Sequence, residues 1–287
     1  MATGQSRSCW LSPALRPVPD PTKQNGDMLT YLKELFAAHE LFYTWARREF
    51  RVRYSQSILG AAWAILQPLA LMVVYSLIFS VFIRVPTDGM PYPIFAYAAL
   101  LPWTFFANSL TFAIPSLVNN MNLVSKIYFP REILPLAAIV VCFIDFLIAG
   151  SIFVVMMIYY RVPVGPPLLL MPLVLLVQII LTFGVSLLAS AVNVFYRDVR
   201  FVVPLALQVW MYLSPVIYPV SQIPERYRSL YLLNPMAALV DSYRRITLFR
   251  EWPDWPHLGL AALVSVLVAV LAYGYFKRAE SQFADLI

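Results

Sequence analysis

From Tyr54 to Ile83 no residue carries a charge, and the same holds between Asp88 and Lys126 and from Val162 to Tyr196. A helix needs about 20 consecutive apolar residues to cross the hydrocarbon core of a bilayer, and each of these stretches supplies them. Read for runs of that size, the chain offers six spans, at about 60–83, 93–117, 133–160, 168–195, 201–218 and 256–276, with Asp145 the only charge inside the third. Composition closes off a water-soluble core of this size. Of 287 residues, 61% are hydrophobic and 13% charged, with a mean hydropathy of +0.71, where soluble domains carry about 25% charged residues. The expected fold class is all-α integral membrane.

Six spans put both termini on one side. The excess of Lys and Arg on cytoplasmic flanks decides which. With both termini cytoplasmic, inner segments hold 14 of the 21 Lys and Arg and outer segments 7, and eight of the inner ones precede Tyr54. The exception is segment 220–256, where Arg226, Arg228, Arg244, Arg245 and Arg250 fall outside, offset mostly by Glu225, Asp241, Glu251 and Asp254. Within it, NPMAALVDSYRRITLF is apolar enough to dip back as a short re-entrant helix between the fifth and sixth spans, a shape tolerated only where protein or water covers the backbone.

Ahead of the spans, residues 1–27 read as a flexible tail with four prolines and no apolar core of signal-peptide length. Over 28–53, Leu32, Leu35, Phe36, His39, Phe42, Tyr43, Ala46 and Phe50 recur at spacings of three and four while the charges lie mostly elsewhere. That pattern predicts an amphipathic helix in the cytoplasmic interface. Residues 54–287 form the six-span domain. Cys9 and Cys142, one in a polar tail and one in an apolar run, indicate no disulfide framework.

Several signatures are missing from the sequence. It has no GxxxxGK[ST] phosphate loop, so the chain does not bind ATP in the manner of a P-loop motor. It has no HExxH and no CxxC, and its two histidines, His39 and His257, lie far apart. Neither a metal site nor a catalytic residue is expected.

Separated blocks carry a family resemblance: RREFRVRYSQSILGAAWAILQPL (47–69), PSLVNNMNLVSKIYFPREILPL (115–136), CFIDFLIAG (142–150), NVFYRDVR (193–200), LSPVIYP (213–219) and LNPM (233–236). Together they resemble the permease subunits of ABC exporters for O-antigen and related polysaccharides, over nearly the whole chain from about Leu29. The resemblance implies a homodimer paired with two copies of a separate ATP-binding subunit, so ATP and Mg belong to that partner and no cofactor to this chain. It implies the cytoplasmic (inner) membrane of a bacterium, a polyprenyl-pyrophosphate-linked glycan as cargo, and a transport role in place of an enzymatic one.

The resemblance also makes the segment between the second and third spans a coupling helix seated in the ATPase, with Asn122, Lys126, Tyr128, Phe129, Arg131 and Glu132 as contact residues. By its own residues the segment is a short helix punctuated by Pro130 and Pro135, equally readable as a cytoplasmic turn anchored by positive charge. In the later loop, Arg197 and Asp198 either touch the ATPase or close salt bridges at the same face.

Arg47, Arg48, Arg51 and Arg53 sit where the amphipathic helix meets the membrane, at the depth of a lipid-linked pyrophosphate. Guanidinium forks suit such groups through paired hydrogen bonds; plain positive-inside anchoring is the competing account. The resemblance makes spans one and five the pore walls, which singles out Trp63, Tyr75, Phe79, Trp210 and Tyr212 as channel aromatics over which sugars slide, although Trp and Tyr also belt membrane proteins at both interfaces. Asp145, a carboxylate inside a span, is a functional candidate by position; a structural hydrogen bond is favoured over a proton relay. The expected function is the channel-forming subunit of an ATP-driven exporter of lipid-linked polysaccharide. The alternatives are a small-molecule or drug exporter permease of the same architecture and a polyprenyl-phosphate membrane enzyme.

Overall fold

A computed structural model of the chain describes residues 39–55, 60–87, 89–124 and 129–284. The expected tail (1–27), the first part of the amphipathic helix (28–38) and the coupling candidates Lys126 and Tyr128 lie outside the described residues. Among these residues every regular element is helical: α1 (His39–Tyr54), α2 (Trp63–Tyr75, prolonged by π-helical turns over Ser76–Phe82), α3 (Tyr92–Ala113), α4 (Ser116–Asn119), α5 (Met121–Val124), α6 (Ile133–Tyr159), α7 (Met171–Phe195, entered through a 3₁₀ turn over Pro166–Leu170), α8 (Val199–Tyr212), α9 (Glu225–Tyr231), α10 (Pro235–Arg244, with a π turn over Arg245–Phe249) and α11 (Trp255–Glu280). Proline sets several of these limits. Pro115 follows the end of α3, short of the expected residue 117, and Pro235 opens α10 behind Asn234, whose side chain caps the Met236 amide.

Among the described residues, five helices are long and apolar enough to cross a membrane: Trp63–Phe82, Tyr92–Ala113, Ile133–Tyr159, Pro166–Phe195 and Trp255–Phe283. The stretch expected as the fifth span contains α8, 14 residues long. At 1.5 Å per residue it extends about 21 Å, against a hydrocarbon core of about 30 Å. It stops at Tyr212 because Pro215 and Pro219 follow, and proline disfavours helical geometry in the residue before it.

The packing is organised around α3. Of its most apolar stretch 83% is buried, against 6% for α2. α6, α7, α10 and α2 all pack on α3, and α7 and α11 lie along each other in a further extensive contact. Gly184 allows that approach: a Cβ there would stand 2.8 Å from the Ala269 backbone N and Cα, too close for any side chain. Small residues let membrane helices approach in this way.

Buried polar side chains pin the helices together. Gln178 of α7, wholly buried, donates to the Pro102 carbonyl of α3 at 2.7 Å and accepts from the Tyr243 hydroxyl of α10 at 2.7 Å. Asn193 of α7 donates to the Ile114 carbonyl at 3.1 Å. Arg244, 3% exposed, donates to the carbonyls of Phe95 (3.2 Å), Val216 (2.7 Å) and Tyr218 (3.2 Å) and lies 3.6 Å from the centre of the Phe95 ring. The guanidinium thus anchors the turn after α8 to the start of α3.

Replacing Gly184 with Val should force α7 and α11 apart and destabilise the protein by about 1–3 kcal/mol, whereas Gly274→Ala, where a Cβ would meet nothing within 4 Å, should leave the unfolding temperature in detergent unchanged or higher. Equal melting of the two variants would mean that the close crossing does not carry that stability.

Candidate functional site

The C-terminal half of α1 descends onto α6. Its last turn reaches Asp145, about 18 Å from the start of α6 at 1.5 Å per residue. Arg53 Nη1 lies 3.0 Å from Asp145 Oδ2 and 3.4 Å from Cys142 Sγ, and the Tyr54 hydroxyl donates to Asp145 Oδ1 at 2.5 Å. The same guanidinium stacks 3.8 Å from the centre of the Phe112 ring of α3. Burial and the Asp145 hydrogen bond push the Tyr54 phenol above its ordinary value, which keeps it a donor. Asp145 therefore has its counter-charge, supplied by a different helix. The ion pair is about one-seventh exposed on each side (13% and 16%), so it ties α1 to α6 in a setting where neither charge has free access to water.

Beside this pair lies a cavity of about 190 Å³ whose lining includes Arg53, Trp63, Gln67, Thr104, Asn108 and Asp145. It brings together a residue expected at the pyrophosphate, Arg53, and one expected in the channel, Trp63. The other three arginines of the cluster point elsewhere. Arg47, Arg48 and Arg51 are exposed; Arg47 and Arg51, four apart, share a face of α1, while Arg48 lies 4.4 Å from the centre of the Trp45 ring.

The five channel aromatics divide in two. Trp63 and Tyr212 are half exposed, at 53% each. Tyr75, Phe79 and Trp210 pack against the core formed by α3, α7 and α10. The Tyr75 hydroxyl reaches Met211 Sδ at 3.7 Å, Phe79 stacks on Tyr92, and the Trp210 indole meets Phe106 edge-on while its N–H donates to Asn234 Oδ1 at 2.9 Å. Along their lengths α2 and α8 also expose large apolar side chains, among them Leu77, Val81, Phe82, Phe201, Leu205 and Val209.

Near the start of α6, the coupling candidates also separate. Asn122, Arg197 and Asp198 are exposed. Phe129 is 7% exposed and sits in a cluster with Trp45, Ile133, Phe276 and Phe283. Glu132, 1% exposed, lies 2.9 Å from Lys277 Nζ, which also bridges Glu280 at 3.0 Å. Arg131 reaches the Glu280 carbonyl. The 129–132 turn is therefore clamped to the end of α11. Burial pushes the Glu132 carboxyl up from the usual range, with Lys277 acting in the other direction.

Sequence reasoning missed Arg244, Gln67, Thr104, Asn108 and Tyr54. For Arg244 half a signal existed: an arginine in the mostly apolar stretch NPMAALVDSYRRITLF needs buried acceptors, but that the carbonyls of the distant LSPVIYP turn provide them is seen only in the fold. The three amide and hydroxyl side chains gave no such signal, since isolated polar residues in an apolar helix show only that a partner exists.

Residues 40–248 match the family model described as ABC-2 type transporter. The chain is 33% identical over 264 residues to the O-antigen export system permease protein RfbA of Myxococcus xanthus, covering 91% of this chain and all of the relative. It is 28% identical over 249 residues to the permease of that name from Klebsiella pneumoniae, covering 86% of this chain and 95% of the relative. It is also 23% identical over 237 residues to the polysialic acid transport protein KpsM of Escherichia coli, covering 79% and 89%.

Asp145→Leu should strand the Arg53 charge and cost about 3 kcal/mol, while the double replacement Arg53→Leu/Asp145→Leu should recover most of that loss, because removing both partners removes the unpaired charge. Unfolding temperatures of the purified variants in detergent measure this; a double variant no better than Asp145→Leu would show that the pair does not hold α1 on α6.

Proposed function

Because the chain belongs to the ABC-2 type transporter family, we propose that it is the channel-forming subunit of an exporter moving a lipid-linked polysaccharide across the cytoplasmic membrane, with O-antigen as the first candidate cargo. The observation that carries this reading is its similarity, over the full length of the relative, to a permease of an O-antigen export system.

Two copies assemble with two ATP-binding subunits, which hold ATP and Mg. The exposed apolar faces of α2 and α8 suit this arrangement: a second copy would cover part of them, and Trp63 and Tyr212 would look into the passage between. In the membrane, α8 acts as the fifth of six spans, α10 as the re-entrant helix on the outer side, and α1 as the interfacial helix, with both termini cytoplasmic. Domain limits at residues 27 and 53 follow from that layout.

A polyprenyl-pyrophosphate-linked glycan approaches from the inner leaflet, its phosphates met by Arg47, Arg48 and Arg51. These arginines are exposed and free of the Asp145 ion pair, which engages Arg53. The ATPase seats the segment that holds Asn122, Lys126 and Tyr128 together with the Arg197–Asp198 turn. Phe129, Arg131 and Glu132 carry that push inward, since they contact the end of α11.

Inverted vesicles holding the permease and its ATPase should take up polyprenyl-pyrophosphate-linked glycan into an enzyme-protected lumen when ATP is added. Arg47→Glu/Arg51→Glu should lower uptake at least tenfold while the ATPase still co-purifies. Uptake of small amphipathic drugs with no uptake of the glycan would reject polysaccharide export; unchanged glycan uptake by the double variant would reject the phosphate assignment.

A further inference from the structure

The cavity beside the Arg53–Asp145 pair carries a more specific reading, which rests on the export function above. We propose that it is a sugar subsite, which accepts the neutral ring nearest the pyrophosphate of a lipid-linked glycan and excludes the phosphates themselves.

Charge comes first. Asp145 balances Arg53 at 3.0 Å, and among the described residues no other charged side chain lines the cavity. A phosphate placed against Arg53 would meet the Asp145 carboxylate at close range in a setting of low dielectric, where like charges repel strongly. A neutral ligand meets no such penalty. It can still use the pair, because a guanidinium donates and a carboxylate accepts.

The hydrogen-bonding inventory suits a polyol. Arg53 Nη2 is buried and has no hydrogen-bond partner among the described residues, an unmet donor that a ligand reaches only after a small turn of the guanidinium. Asn108 Nδ2 and Gln67 Oε1 face each other at 3.4 Å, a long contact. Their amides keep further donors and acceptors for a ligand. Thr104 gives its hydrogen to the Leu101 carbonyl at 3.1 Å, which leaves its oxygen to accept. Donors and acceptors therefore alternate around one small space, as hydroxyl groups require. A phosphate, which only accepts, would use just half of them.

Shape and surface agree. A volume of about 190 Å³ equals roughly six waters at about 30 Å³ each, close to one sugar ring and below the range of about 300–1,000 Å³ common for drug-sized ligands. The Trp63 ring, half exposed, offers a flat face to the C–H side of a ring. The lining comes from α1, α2, α3 and α6, so a sugar held here would be gripped where the phosphate-facing helix meets the first span.

The test uses the permease with its ATPase in lipid nanodiscs and reads stimulation of ATP hydrolysis. The two probes are a polyprenyl pyrophosphate bearing one N-acetylhexosamine and the same polyprenyl pyrophosphate without sugar; glucosyl diacylglycerol serves as competitor. In the wild type the sugar-bearing probe should act at about tenfold lower concentration, the scale of one or two hydrogen bonds. Asn108→Leu should abolish that advantage and leave the response to the bare pyrophosphate unmoved. Thr104→Val, which removes one oxygen at nearly constant shape, should reduce it and serves as the second variant if Asn108→Leu does not fold. A shift of both probes together, or of neither, overturns the subsite while leaving the export reading intact. Full competition by glucosyl diacylglycerol overturns it too, by assigning the cavity to a membrane glycolipid. A wild type that responds to neither probe overturns the export reading, and the subsite with it.

Discussion

The side chains of three residues donate to backbone carbonyls spaced along α3 and its C-terminal cap: Arg244 to Phe95, Gln178 to Pro102 and Asn193 to Ile114. In hydrocarbon each helix satisfies its own backbone, and apolar contact between helices gains little over apolar contact with lipid. Specific polar ties then fix which helix lies against which. Because these ties converge on α3, with Tyr97 adding a bond to the Ala149 carbonyl of α6 at 3.0 Å, α3 becomes the common partner of the bundle. The neighbouring helices take their positions from it, and so do the cavity beside Asp145 and the turn held by Arg244.

The functional groups divide between the start and the middle of α6. At the start, Arg131 and Glu132 grip the last turn of α11 through Glu280 and Lys277. Further along, Arg53 and Tyr54 grip Asp145. One helix thus carries both the attachment of α1 and the attachment of the segment proposed to meet the ATPase. A displacement of the 129–132 turn acts on the same rigid element that shapes the Arg53 cavity.

Much of this was legible in the sequence, and the limits of legibility have physical causes. Uncharged length located five of the six expected runs as helices long enough to cross among the described residues, and the run expected over 133–160 is the helix Ile133–Tyr159. Ends set by proline geometry were harder, as α3 and α8 show. Asp145 advertised a need for a partner, but the partner lies 92 residues away in the chain, a pairing that no local pattern encodes. The aromatic residues were harder still. In a helix that is apolar all round, periodicity cannot separate the face that meets protein from the face that meets lipid or cargo. Tyr75 and Phe79 consequently looked the same as Trp63 until their neighbours were known. Phe129 shows the converse: an apolar residue between charges reads as an offered surface, yet it is buried in one cluster with Trp45 and Phe276.

The close crossing at Gly184 bears on how such a molecule could move. With backbone against backbone at that point, α7 and α11 have no layer of side chains between them to slide over or repack, so they can only travel as a single stave. α2, by contrast, is held along one edge and leaves most of its circumference to whatever surrounds it. In the passage proposed above, α2 would be the element left to swing against α3, α7 and α11, with Pro68 and the π-helical turns near its two ends as the places where its backbone yields.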